Sequence, residues 1–181
     1  MERPPAAERV ELFTNTFDLE SGRDDLSTPE ELTHWLRDQG LVGGGTRADE
    51  ADHRAFLDLR AGLRAALDGP DADPHALARA DTLLAGLPLL ASLSPGRRAL
   101  VPNPELGPVR AACAALALDW VRLVTTGDVA RLKRCAEHTC LWVFWDGSRN
   151  QSRRWCSMRV CGNRTKSRRH SKKERRAREE G

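Results

Sequence analysis

The stretch Cys135-Ala136-Glu137-His138-Thr139-Cys140, then Leu141 to Trp155, then Cys156-Ser157-Met158-Arg159-Val160-Cys161 decides the reading of this chain. Two cysteine pairs share the spacing C-x4-C, and together they hold four of the five cysteines in the protein. A structural Zn²⁺ site is a closed tetrahedron of thiolate or imidazole ligands delivered by two short knuckles. Cys135, Cys140, Cys156 and Cys161 are therefore expected to hold one structural zinc ion. Two disulfides are the rival reading. However, Met1-Glu2-Arg3-Pro4-Pro5 leads into no apolar stretch, so the chain is expected in a reducing cytoplasm, where clustered cysteines bind metal more often than they pair. His138 lies inside the first pair, but the four thiolates already complete the set. A catalytic zinc needs an open position, and a four-cysteine site has none.

The second knuckle continues as Cys161-Gly162-Asn163-Arg164, then Thr165-Lys166-Ser167-Arg168-Arg169-His170. Together with Arg154-Trp155-Cys156 and the acidic Asp146, this segment resembles the CGNR zinc finger. Asn15-Thr16 and Leu32-Thr33-His34-Trp35-Leu36 are similar to the helical domain, of the ABATE type, that accompanies this finger in bacterial stress-induced transcription regulators. The resemblance spans nearly the whole chain. It implies a helical regulatory, ligand-binding or association domain over residues 1–130, a four-Cys finger over 131–173 and a charged flexible tail over 174–181. It also implies a zinc-dependent DNA-binding transcriptional regulator with double-stranded DNA as its partner. The sequence leaves room for a small-molecule effector in the helical domain and for a homodimer.

Charge agrees with that division. The net charge of +3 conceals 15 Lys+Arg against 5 Asp+Glu from Lys133 to Gly181, a net of +10, so the rest of the chain carries −7. An acidic body with a basic end suggests a polyanion partner at that end only. No run approaches the roughly 18 apolar residues of a membrane span.

The body reads as helices. Leu12, Phe13, Phe17 and Leu19 form a short helix or an extended segment. Thr28-Pro29-Glu30-Glu31 is a capping box with proline at the first helical position, ahead of Leu32, Trp35 and Leu36 on one face. A second box is expected at Thr46-Arg47-Ala48-Asp49, before Phe56, Leu59, Leu63 and Leu67. Arg54, Asp58, Arg60 and Arg64 are expected on that helix's outer surface. Asp73-Pro74 caps a third helix that buries Leu77, Ala80, Leu83 and Leu84. Leu89–Leu93 and Ala99–Val101 flank Ser94-Pro95-Gly96-Arg97 as a small β-hairpin. Val109, Cys113, Leu116, Trp120, Leu123 and Val124 form one apolar stripe from about Pro108 to Thr126, with Cys113 a buried thiol and Asp119 and Arg122 off the stripe. The fold expected is mainly α (α+β), with a treble-clef-like finger of knuckle, β-hairpin and helix at its end.

The body holds no catalytic constellation. His34, His53 and His75 are scattered, the glycine run Gly43-Gly44-Gly45 lacks a following Lys-Ser/Thr, and neither a Gly-x-Ser-x-Gly elbow nor an HExxH is present. No enzyme is expected. In the finger, Leu141–Trp145, the turn Asp146-Gly147 and the return Arg149–Trp155 read as strand, turn, strand. Trp142, Trp145 and Trp155 either pack a small core or stack on bases, and packing is preferred for two of them. On a helix after Cys161, Arg164, Arg168 and Lys172 share one face. Like charges at that spacing destabilise an isolated helix, so the pattern points to an anion partner. Asn163 and Arg164 lie where base edges are read, unless they serve as caps and thiolate partners. Arg153, Arg154, Lys166, Arg168, Arg169 and Lys172 would meet phosphates. A protein–protein adaptor using the finger as a rigid platform, and an RNA-binding protein, are the alternatives.

Overall fold

The computed structural model describes residues 2–93, 100–168 and 171. Five α-helices, two short antiparallel strand pairs and a C-terminal helix are the main elements among the described residues. Helix α1 (Pro5–Thr14) starts at a proline, whose missing N–H costs nothing at a helix start, and buries Ala7, Val10 and Phe13 at three-residue spacing. Helix α2 (Pro29–Asp38) is capped by Thr28, whose hydroxyl accepts from the Glu31 N–H at 3.2 Å. The Glu31 carboxylate reaches past the cap to the N–H of Ser27, at 2.9 Å.

Helix α3 (Glu50–Ala66) starts three residues later than the expected box. Asp49 is the cap, and Asp49 and Asp52 exchange bonds with each other's N–H. The reason lies in α2. The Thr33 hydroxyl accepts from Ala48 N, and Arg37 donates to the Thr46 carbonyl, so residues 46–48 are pinned as an extended link. Helix α4 (Pro74–Ala85) is capped by Asp73 as expected. It packs so closely on α3 that a Cβ at Gly62 would lie 2.2 Å from that of Ala80. Strands β1 (Leu89–Ala91) and β2 (Leu100–Pro102) pair with Leu89 opposite Pro102. The expected turn, Ser94 to Arg97, lies outside the described residues. Helix α5 (Pro108–Thr126) ends at Gly127 with φ 78°, a left-handed cap that favours glycine.

Phe13 is the centre of the main core, 5.5 Å from the Trp35 ring and 5.9 Å edge-on to Phe56. Cys113 is fully buried there, and burial pushes its thiol up to about 12. Val124 departs from the expected stripe and is half exposed. Two charge assignments are corrected. Asp119 is buried on α5 and accepts two bonds from Arg9, at 2.5 and 2.8 Å, and one from Arg122 at 2.9 Å. Arg60 and Arg64 do not lie on the outer surface. The segment 16–25 folds back over α3, so Arg60 is buried and pairs through both nitrogens with Asp24, at 2.6 and 2.7 Å. Arg64 donates to the carbonyls of Thr14, Phe17 and Leu141, and burial lowers its pKa to about 10. Both guanidiniums lie over the Phe17 ring, at 5.6 and 5.8 Å.

The main core does not stop at α5. Leu132, Val143 and Trp145, from beyond the last long helix, belong to the same cluster as Val10 and Phe13. Among the described residues no helix is long and apolar enough to cross a membrane.

Candidate functional site

A 3₁₀ turn, Asp128–Arg131, leads from α5 into β3 (Leu132–Arg134). β3 pairs antiparallel with β4 (Val143–Trp145), Leu132 opposite Trp145. The first knuckle is thus the tip of this hairpin, with Cys135 N donating to the Trp142 carbonyl at 2.8 Å. This corrects the expected pairing of Leu141–Trp145 with Arg149–Trp155. The buried carboxylate of Asp146 explains the difference. It accepts from Ser148 N (3.0 Å), Ser148 Oγ (2.6 Å), Arg153 N (2.9 Å) and Lys133 Nζ (2.8 Å). These bonds wind the returning chain around one side chain, where a strand would need ladder partners. They also hold the Asp146 carboxyl far below its usual range against the cost of burial.

The second pair of cysteines comes at the start of the C-terminal helix. Ser157 caps a π-helical turn, Met158–Gly162, which runs on as α-helix over residues 163–168. A side chain at Gly162 would collide with Met158, its Cβ lying 2.5 Å from the sulfur.

These two elements bring Cys135, Cys140, Cys156 and Cys161 together, with their four sulfurs within 4.8 Å of one another. Cys156 Sγ is 3.7 Å from both Cys140 Sγ and Cys161 Sγ. A tetrahedral ion at a Zn–S distance of about 2.3 Å requires sulfurs about 3.8 Å apart, so the cluster fits one structural zinc ion. Burial pushes the Cys156 and Cys161 thiols up, while at Cys135 the donors to its sulfur outweigh burial and hold it down, so the charge is shared unevenly over the cluster. Four thiolates at this spacing therefore need a cation, and zinc supplies the compensating charge. Cys113 lies outside the cluster.

Glu137 is the residue that sequence reasoning missed. It lies between the first two ligands and is completely buried. One carboxylate oxygen accepts from Thr139 N (3.4 Å) and Thr139 Oγ1 (3.1 Å), and the other accepts from Thr165 Oγ1 at 3.0 Å and from Arg168. Burial opposes the charge, but these donors outweigh it and hold the carboxyl down to about 2. The first knuckle is thereby bonded to the helix that carries the last ligand. The available signal was a lone acid inside a knuckle, within a stretch otherwise rich in cations.

The predicted contact residues separate into several groups. Arg153 is committed to the finger: it donates to the carbonyls of Trp145 (3.3 Å) and Cys156 (2.7 Å), and its guanidinium lies 4.9 Å from the centre of the Phe144 ring. Arg154 is exposed, over Trp155 at 5.5 Å. Asn163 donates to the Arg159 carbonyl at 3.0 Å. Arg164 is paired with Glu20 of the helical body at 2.8 Å, and Arg168 with Glu137. Lys166 is exposed. Arg169 and Lys172 lie outside the described residues. All three tryptophans pack: Trp145 into the main core, Trp142 and Trp155 against the cysteine cluster. Asn15 joins the two regions. Its side-chain amide donates to the Val143 carbonyl and accepts from Val143 N, both at 2.8 Å.

Among the histidines, His53 bonds the Leu26 carbonyl at 2.7 Å, while His34 and His75 are exposed.

Two family models match the chain. Residues 9–127, about two thirds of it, match the family described as Putative stress-induced transcription regulator (ABATE), and residues 131–174 match the CGNR zinc finger. Neither is an enzyme family. Comparison with curated proteins gave no match.

Proposed function

Because this chain belongs to the Putative stress-induced transcription regulator family and carries a CGNR zinc finger, we propose that it is a zinc-dependent, DNA-binding transcriptional regulator. The observation that carries this reading is the helix fixed to the cysteine cluster, which presents Arg159, Arg164, Lys166 and Arg168 to solvent. It does so on a chain whose N-terminal part is net acidic. Cations arrayed on a held element are suited to a phosphate backbone, and an exposed helix face is suited to the major groove. Arg154, Arg164, Lys166, Arg168, Arg169 and Lys172 meet the DNA backbone, while Asn163, whose amide donates to the Arg159 carbonyl, braces the turn that faces the bases. Arg153 serves the same interface indirectly, by holding the finger's shape. Residues 1–130 act as the regulatory part, through a small-molecule effector or self-association, residues 131–173 as the DNA-contacting part, and residues 174–181 as a charged tail. Such a protein works in the cytoplasm, beside the chromosome.

The test is a binding selection on random duplex DNA with the zinc-loaded protein and with EDTA-treated protein. An enriched motif that disappears with the metal is the expected result. Its affinity should fall with salt at a log–log slope of about −0.9 per neutralised phosphate. Equal binding by the chelated protein would overturn the mechanism. No binding at low salt would move the finger to the role of a protein–protein platform, and preference for single-stranded RNA with a dependence on Trp142 would move it to RNA.

A further inference from the structure

The cations of the C-terminal helix are not equivalent. Arg164 is engaged by Glu20, and Arg168 by the buried Glu137. Arg159 has neither an acidic partner nor a side-chain hydrogen bond among the described residues, and it is exposed. It is flanked by Met158 and Val160, which are 49% and 47% exposed. Exposed methyls gain nothing from phosphates, but they pair with thymine methyl groups in the major groove. With Asn163, Arg164, Ser167 and Arg168, Arg159 and Val160 share one exposed face of the C-terminal helix. Both lie within two residues of the buried ligand Cys161, so a bound zinc would anchor the backbone of this turn. The Asn163 amide is turned back onto the Arg159 carbonyl, so it braces this turn and does not present itself to an adenine.

Resting on the DNA-binding reading above, we propose that the turn Met158–Gly162 is the base-reading edge of the finger. Arg159 takes the O6 and N7 of a guanine, and Val160 packs on the methyl of a neighbouring thymine. Asn163 is then a positioning residue, and Arg164 and Arg168 contribute to affinity without setting the sequence.

The experiment uses the motif selected by the full-length wild-type protein. Affinities of wild type, Arg159→Ala, Arg159→Lys and Val160→Ala are measured on that motif and on its single-base variants. They are also measured on duplexes with each thymine replaced in turn by uracil, which lacks the methyl. Arg159→Ala should lose roughly 5- to 150-fold of its preference at one G·C pair, and Arg159→Lys most of it while keeping the charge. Wild type should discriminate thymine from uracil at one position, and Val160→Ala should not. Zinc content should be unchanged in all variants, which separates misreading from misfolding. Arg159→Ala weakening all sequences alike, with its preference intact, would overturn the proposal and leave the DNA-binding reading standing. A wild type that selects no motif would overturn both.

Discussion

The two faces of β4 teach different lessons about stability. Val143 and Trp145 point into the main core with Val10, Phe13 and Leu132, while Phe144, between them, points at Cys135 and Cys161. The alternation of a strand places one residue in each environment. On one side the packing is apolar, built from five helices, and needs nothing else. On the other a small cluster of rings and thiols is too meagre to order itself, and metal together with buried carboxylates supplies what packing cannot. Three residues of strand therefore join a body that is stable through area to a module that is stable through charge.

Metal removal should separate the two most sharply. Chelation of the full-length protein is expected to strip hydrogen-exchange protection from residues 131–168 while α1 to α5 keep theirs, because structural zinc contributes on the order of 10–16 kcal/mol to modules of this kind. If the helical protection collapses as well, the two cores are one cooperative unit and the comparison fails. The converse is Phe13→Ala. It should cost about 3–5 kcal/mol in a urea melt of the helical body, as truncating a buried ring does, and leave the zinc content measured on the folded protein at one ion per chain.

Asn15→Ala tests the seam itself. It removes two bonds to the backbone of Val143 and should destabilise the finger by about 1–3 kcal/mol, the cost of leaving such groups unpaired. The readout is earlier exchange at 132–145 with α3 and α4 unchanged. Uniform loss across the chain would mean that Asn15 supports the body and not the junction.

Acid should also discriminate. Glu137 has its carboxyl depressed from about 4.5 to about 2, so the folded state binds its proton less readily than the unfolded state. Its contribution is complete above pH 4.5 and fades as the pH falls toward 2. Glu137→Gln should remove that part of the acid dependence and, at neutral pH, loosen residues 163–168 first, as read by exchange. The smallest expected effect belongs to Glu20→Gln. The pair with Arg164 is exposed on both sides, so a urea melt should shift little or not at all. A larger loss in the same melt would make Glu20 a true link between body and finger.

Much of this was legible from residue order. The four ligands declare themselves by spacing, because knuckles are local. Thr28 and Asp73 cap their helices, and α5 runs over the expected residues, because caps and apolar periodicity act within a turn or two. What was misread had distant causes. Asp49 displaced Thr46 as a cap because α2 had already claimed residues 46–48. Arg60, Arg64 and Asp119 look like solvated surface on a helical wheel, and partners 36 to 110 residues away bury them. The return of the finger looked like a strand until Asp146 gathered it.

The sequence by itself determined that this chain binds zinc through four cysteines, that its body is helical and that its end is cationic. Each of these follows from ligand spacing, periodicity or a count of charges. Only the tertiary structure decided which strand pairs with which, that the finger shares a core with α1, and that Glu137 ties knuckle to helix. Those depend on where a buried polar group finds its partner, and a hydrogen bond satisfied from 128 residues away, as between Asn15 and Val143, leaves no local pattern in the chain.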